Sequence, residues 1–113
     1  MSDCLFCAIA AGEIPADIVE SDDQVVVFRD LNPQAPTHVL AIPREHYENV
    51  AELASADPAL TGALLAAVGR VAATEGLDDG YRVVFNTGRL AGQTVNHVHA
   101  HLVGGRQLLW PPG

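Results

Sequence analysis

The chain has 113 residues, 49% of them hydrophobic and 18% charged, without repeats or low-complexity tracts. That excludes a disordered or fibrous protein and leaves room for one domain over 1–113 with a single modest core. Six Lys and Arg against 14 Asp and Glu give a formal net charge of −8, with the basic residues scattered, so a nucleic-acid track meets repulsion while a small nucleotide held by backbone N–H groups and imidazoles does not.

No apolar run reaches the ~18 residues of a membrane span, and residues 1–7 lack a basic stretch followed by an apolar one. A cytoplasmic protein without a membrane partner is expected. In chain order, residues 4–11 suit a short helix stopped at Gly12, with Leu5, Phe6 and Ile9 available to pack inward. Residues 17–20 and 24–28 flank the polar Ser21-Asp22-Asp23 and read as a hairpin, the second strand dense in β-branched residues. Asp30-Leu31-Asn32-Pro33-Gln34-Ala35-Pro36 is a loop, 37–42 a strand, and Pro43 its end. Asp57-Pro58 opens the longest helix and Gly76 stops it; Leu60, Leu64, Val68 and Val71 form its core stripe. A strand over 80–86, a glycine-bounded loop over 88–92 and a strand over 97–103 follow. The tail carries Trp110 on an extended, proline-bearing arm suited to docking on a surface. The predicted fold class is α+β: about five strands in a mostly antiparallel sheet, one main helix and a short N-terminal helix.

Three of the five histidines, His97, His99 and His101, stand at every second position. On a strand they share one face, with Val98, Ala100 and Leu102 on the other. Same-face neighbours lie ~6.5–7 Å apart, which puts His97 and His101 about 13 Å apart, too far to serve one atom. The row therefore predicts a division of labour. Three half-buried rings need partners for six nitrogens, a cost that packing alone gives little reason to accept. Neutral imidazole is a competent nucleophile near pH 7 and an acid once protonated, which suits phosphorus chemistry. The loop ahead of it, Gly88-Arg89-Leu90-Ala91-Gly92-Gln93-Thr94, is either a plain hairpin connection or an anion nest with a hydroxyl at Thr94. Cys4-x-x-Cys7 reads as a metal clip, a redox pair or two small buried thiols. Two more ligands complete a zinc site, and His46 and His97 are free for that task. Closed Cys2His2 ligation would make such a zinc structural.

The run His97-Val98-His99-Ala100-His101-Leu102-Val103 resembles the signature of the histidine triad superfamily of nucleotide hydrolases and transferases. Ala35-Pro36-Thr37-His38, Ile42-Pro43, Asn86, Gly92-Gln93-Thr94 and the ending Gly104-Gly105-Arg106-Gln107-Leu108-Leu109-Trp110-Pro111-Pro112-Gly113 are similar to the Hint branch, so the likeness spans essentially the whole chain. It implies a homodimeric purine nucleoside phosphoramidase, an adenosine 5′-monophosphoramidase working through a covalent nucleotidyl-histidine. By position His99 is the nucleophile and His101 contacts the phosphate, with Thr94 assisting the leaving group and His38 either close by the active site or merely a strand histidine. Asp30 holds the ribose hydroxyls beside Leu31; Asn86, Gly92, Gln93 and Thr94 lie on the phosphate side. Phe6, Ile9, Ile14 and Phe28 form the base slot, or are simply core, and Trp110 reaches the neighbour's site. Zinc-containing bacterial relatives look similar at Cys4, Cys7, His46 and His97, whereas the Hint branch generally lacks the cysteines. Thr94 stands where serine is commoner, Ala100 is smaller than usual, and Asn96 occupies a commonly aromatic position. The alternatives are a dinucleoside polyphosphate hydrolase or nucleotidyltransferase of the same superfamily, and a zinc-stabilised nucleotide-binding regulatory protein.

Overall fold

A computed structural model describes residues 4–113, which form five strands and three α-helices. Residues 1–3, part of the stretch read above for a leader, lie outside the described residues. Helix α1 (Leu5–Ala10) starts at Cys4, whose Sγ accepts the Cys7 N–H at 3.3 Å, and the chain turns out of it at Gly12 with φ +77°. Six residues cannot sustain a helix in water. It persists by burying Phe6 against the sheet, with Ala8 buried as well. Leu5, expected to pack inward, is instead exposed: neighbours on a helix point about 100° apart, and Phe6 takes the inward direction.

The predicted hairpin forms from β1 (Ile18–Ser21) and β2 (Val25–Arg29). Asp22 Oδ1 closes its turn by accepting the N–H groups of Gln24 and Val25, each at 2.8 Å. Strand β3 (Thr37–Pro43) is buried throughout. A helix that sequence reasoning passed over, α2 (Val50–Ala56), comes next. Its signal was Asn49, whose side chain accepts the Glu52 N–H at 2.9 Å while Glu52 reaches back to the Glu48 N–H, a near relative of the capping box. Helix α3 (Pro58–Thr74) is capped by Asp57 as predicted, and its stripe of Leu60, Leu64, Val68 and Val71 is buried. Strand β4 (Tyr81–Val84) is shorter than the predicted 80–86, which leaves Asn86 outside the ladder, and the glycine loop holds one 3-10 turn, Arg89–Ala91.

Strand β5 (Ala100–Gly104) corrects the predicted histidine strand over 97–103. Only His101 of the triad lies in it. The ladder with β3 begins at the pair Ala41 and Ala100, and the Val98 N–H donates to the Tyr47 carbonyl at 2.7 Å, so the chain has left the sheet at that point. All pairings are antiparallel, in the order β1-β2-β3-β5-β4.

The sheet has two unequal faces. On one, Val25, Val27, Val39, Ala41, Ala100 and Leu102 pack with Val98 against α2 and α3. On the other, Val26, Phe28, Leu40 and Ile42 are covered by Phe6 of α1. Because α1 spans fewer than two turns, part of that second face remains open, and it is the face onto which His38 and His101 project. Arg29 donates to Glu75 at the end of α3 at 2.7 Å, which anchors the strand end that leads into Asp30. In the helix-side core, Leu64 is fully buried. Leu64→Ala is expected to cost roughly 3–4 kcal/mol through lost transfer energy and a residual cavity, read as a lower urea midpoint with an unchanged slope.

Candidate active site

The open face holds a cleft of about 280 Å³ between α1 and the centre of the sheet. Of the residues read from the sequence, Phe6, Ile9, Ile14, Phe28, Asp30, Leu31, Thr94, His99 and His101 line it. Leu5, Pro15, Ala16, Leu40 and Val95 also line it, and sequence reasoning missed them, since an aliphatic residue at a cleft carries no local mark distinguishing it from core. Asn86, Gly92 and Gln93 are not among the lining residues. The Gln93 amide is engaged within its own loop and with the segment ahead of α2: Oε1 accepts the Gly88 N–H at 2.9 Å and Nε2 donates to the carbonyls of Val95 and Glu48. Gly88 and Gly92 both adopt φ +85°, a conformation that glycine takes without steric cost. Trp110 is 82% exposed on the tail.

Hydrogen bonds fix the proton position on each triad imidazole. A ring nitrogen facing a carbonyl must carry hydrogen, and one facing an N–H must not. His97 Nε2–H donates to the Pro43 carbonyl at 2.8 Å, so Nδ1 is bare and faces Cys4 Sγ at 3.3 Å and Cys7 Sγ at 3.5 Å. His99 Nδ1–H donates to the His97 carbonyl at 2.8 Å, which leaves the Nε2 lone pair bare. His38 Nδ1 accepts the Gln34 backbone N–H at 3.0 Å, which places its proton on Nε2, 2.9 Å from His101 Nδ1. His101 therefore carries its own proton on Nε2. Asp30 Oδ2 stands 3.4 Å from His38 Nε2, and Asp30 Oδ1 accepts the Asn32 N–H.

The rings of His99 and His101 have centroids 5.0 Å apart, and Phe6 meets His99 edge-on at 5.0 Å and His97 at 6.0 Å. Burial is the main cause that lowers the affinity of His99 for a proton, the Asp30 charge and the bond to the His97 carbonyl opposing it. Burial, then the neighbouring His99 and His38, drives His101 down to about 4. Both rings are thus neutral near pH 7, the form a nucleophile requires.

The lowered His101 value also makes stability depend on pH. The unfolded chain takes up a proton below the ordinary 6.5, whereas the folded chain resists it until about 4. Folding is then progressively disfavoured as pH falls through that window, and the effect is complete below it. His101→Asn is expected to reduce the slope of unfolding free energy against pH there by about one proton's worth, measured by urea titration at a series of pH values. Metal release in acid is common to both proteins and drops out of the difference.

Cys4, Cys7, His46 and His97 place one ligand atom each within 4.8 Å of one another, a group that could hold a metal ion. The donor set fits: two sulfurs, His46 Nδ1 at 3.3 Å from Cys7 Sγ, and a His97 Nδ1 kept bare by the Pro43 carbonyl on the far side of its ring. The triad accordingly splits into one ring among the cysteines and two at the cleft.

An open antiparallel sheet thus sets the imidazoles of His99 and His101 at a ligand-sized cleft. The chain belongs to the HIT domain family, whose pattern matches residues 11–108. It is 53% identical over 111 residues to an uncharacterised HIT-like protein of Synechococcus elongatus, covering 98% of this chain and 97% of that one. A HIT family hydrolase from Legionella pneumophila superimposes with a TM-score of 0.95 at 48% identity, covering 98% of this chain and all of the other. A histidine triad nucleotide-binding protein from Candida albicans matches with a TM-score of 0.83 at 32% identity, covering 96% of this chain and 83% of the other.

Proposed function

We propose that the protein hydrolyses nucleoside 5′-phosphoramidates, adenosine 5′-phosphoramidate among them, by two-step transfer through His99. The observation that carries this reading is the bare, neutral Nε2 of His99 at the cleft with the protonated Nε2 of His101 in the adjacent ring. The nucleotide-binding protein from Candida albicans supports a nucleotide as the ligand. Phe6, Ile9, Ile14 and Phe28 receive the purine, Asp30 and Leu31 the ribose, and Thr94, with Asn86, Gly92 and Gln93 of the adjoining loop, the phosphate side. His99 Nε2 attacks phosphorus, the P–N bond breaks, and the nitrogen leaves as an amine with a proton from solvent handed on by the Thr94 hydroxyl. His101 Nε2–H donates to a phosphoryl oxygen as charge builds on it. Water then cleaves the N–P bond to release the nucleoside monophosphate and restore His99.

Zinc is the metal proposed for Cys4, Cys7, His46 and His97, because two sulfurs and two imidazoles suit tetrahedral Zn²⁺ and leave no open position. It would be structural, tying α1 to the catalytic segment. A single domain acting in the cytoplasm as a homodimer, each Trp110 arm reaching the partner's site, completes the proposal. Incubation with adenosine 5′-phosphoramidate, an alkaline quench and a search for AMP linked to histidine test it. Diadenosine polyphosphate run in parallel decides between the phosphoramidase and a polyphosphate hydrolase. Nucleotide binding with neither turnover nor adduct overturns both in favour of a regulatory binding protein.

A further inference from the structure

We propose that Arg106, in the turn after β5, is a positioning residue that holds His38 and His101 in the proton arrangement the cleft requires. The inference rests on the phosphoramidase reading for its kinetic consequence, though not for its structural one. Arg106 touches neither cleft nor histidine. Its Nε–H donates to the Gln34 carbonyl at 3.1 Å, and its Nη1–H donates to the Gln107 carbonyl at 2.9 Å, which sets the direction of the guanidinium. Gln34 is the residue whose backbone N–H donates to His38 Nδ1 at 3.0 Å. One residue is therefore gripped on both sides, by the arginine at its carbonyl and by the imidazole at its N–H. Beyond it the chain continues from His38 Nε2 to His101 Nδ1 at 2.9 Å.

A second contact shows that the turn is seated on the loop. Gly105 has φ +93°, and a Cβ placed there would lie 2.9 Å from Pro36 Cβ, so the backbone of the turn lies directly against the loop that carries Gln34. That loop spans two prolines and several exposed residues, among them the fully exposed Leu31, and has little core of its own to hold it.

The consequence is chemical. With Gln34 held, His38 Nδ1 accepts, His38 Nε2–H faces His101 Nδ1 at 2.9 Å with Asp30 Oδ2 farther off at 3.4 Å, and His101 is left with its proton on the nitrogen available to a phosphate. With Gln34 released, His38 can exchange its proton between the two nitrogens, and His101 loses the donor that selects its tautomer. The nucleophile His99 is oriented separately, by the His97 carbonyl, so loss of Arg106 impairs handling of the phosphate charge without disturbing attack or base binding.

The test uses protein labelled with ¹⁵N at histidine, free of substrate. Long-range proton–nitrogen spectra of the full chain are expected to show one tautomer each for His38 and His101, with Nδ1 as the bare nitrogen. In Arg106→Ala the His38 signals move toward the average of the two tautomers, and kcat on adenosine 5′-phosphoramidate falls about fivefold, the worth of one ordinary hydrogen bond, with KM within about twofold. Arg106→Lys, which can still reach the carbonyl, restores most of both. Unchanged tautomers in Arg106→Ala overturn the proposal, as does a loss of kcat that lysine fails to rescue while the tautomers stay in place. If the protein turns over no phosphoramidate but the tautomers respond as stated, the substrate reading fails and the positioning role stands.

Discussion

His99→Ala is expected to lower turnover of adenosine 5′-phosphoramidate by about four orders of magnitude and to eliminate the nucleotidyl-histidine adduct, while nucleotide affinity changes little. The alanine removes the one ring among the described residues that offers a bare, neutral nitrogen to the cleft, and the neighbouring ring cannot take its place. His101 Nδ1 is engaged by His38 and its Nε2 carries hydrogen, so it presents a donor where an electron pair is needed. The ring of His97 is further excluded, being fully buried and turned toward the cysteines. The base contacts proposed above lie in α1, the segment after it and β2, which the substitution leaves in place. Rapid-quench kinetics and a nucleotide-binding titration on the same preparation check the two halves separately. A His99→Ala protein that turns over at the normal rate overturns the assignment of the nucleophile.

Removal of the metal proposed at Cys4, Cys7, His46 and His97 is expected to have the second-largest effect, a fall in Tm on the order of 10 °C or more. A ligand present at about a thousandfold over its Kd contributes ~4 kcal/mol to the folded state, and each kcal/mol is worth several degrees in a domain of this size. The effect should also reach the cleft, for a traceable reason. Helix α1 is too short to stand alone, and its two cysteines are its link to His46 and His97. The same helix carries Phe6, which lies edge-on against His99, and His97 supplies the carbonyl that orients the His99 ring. Cys7→Ser and prolonged exposure to a strong chelator should therefore lower Tm and raise amide exchange in α1 together, and both should reverse for the chelated protein when zinc is returned. Metal-free protein with an unchanged Tm and a protected α1 argues against a structural metal.

Much of this was legible in the chain. Alternation around the histidines named the shared face, because side chains on extended backbone take opposite sides regardless of what surrounds them. Asp57-Pro58 and the Leu60 stripe gave α3, and Asp22 gave the hairpin turn, since those signals act within four residues of themselves. Helix α2 is hard to read although Asn49 and Glu52 mark its start, for it is short and buries a single side chain, Leu53, too few to set a helical period. The extent of β5 was also misjudged. Residues 97–99 have strand-like composition, but strand is a pairing and not a composition, and the Tyr47 carbonyl draws Val98 out of the ladder.

The sequence by itself determined which groups the protein has: three imidazoles on one face, two thiols three residues apart, a hydroxyl behind a glycine loop, and the HIT pattern joining them. Tertiary structure alone decided what each imidazole faces. The carbonyls of Pro43 and His97 and the N–H of Gln34 assign the protons, and backbone groups are identical at every residue, so no reading of side chains could have picked them out. The uneven covering of the sheet, with two helices on one face and a fragment of one on the other, decided which histidines meet a ligand. His97, His99 and His101 are spaced alike in the chain and differ in their surroundings because of what the fold sets against each ring.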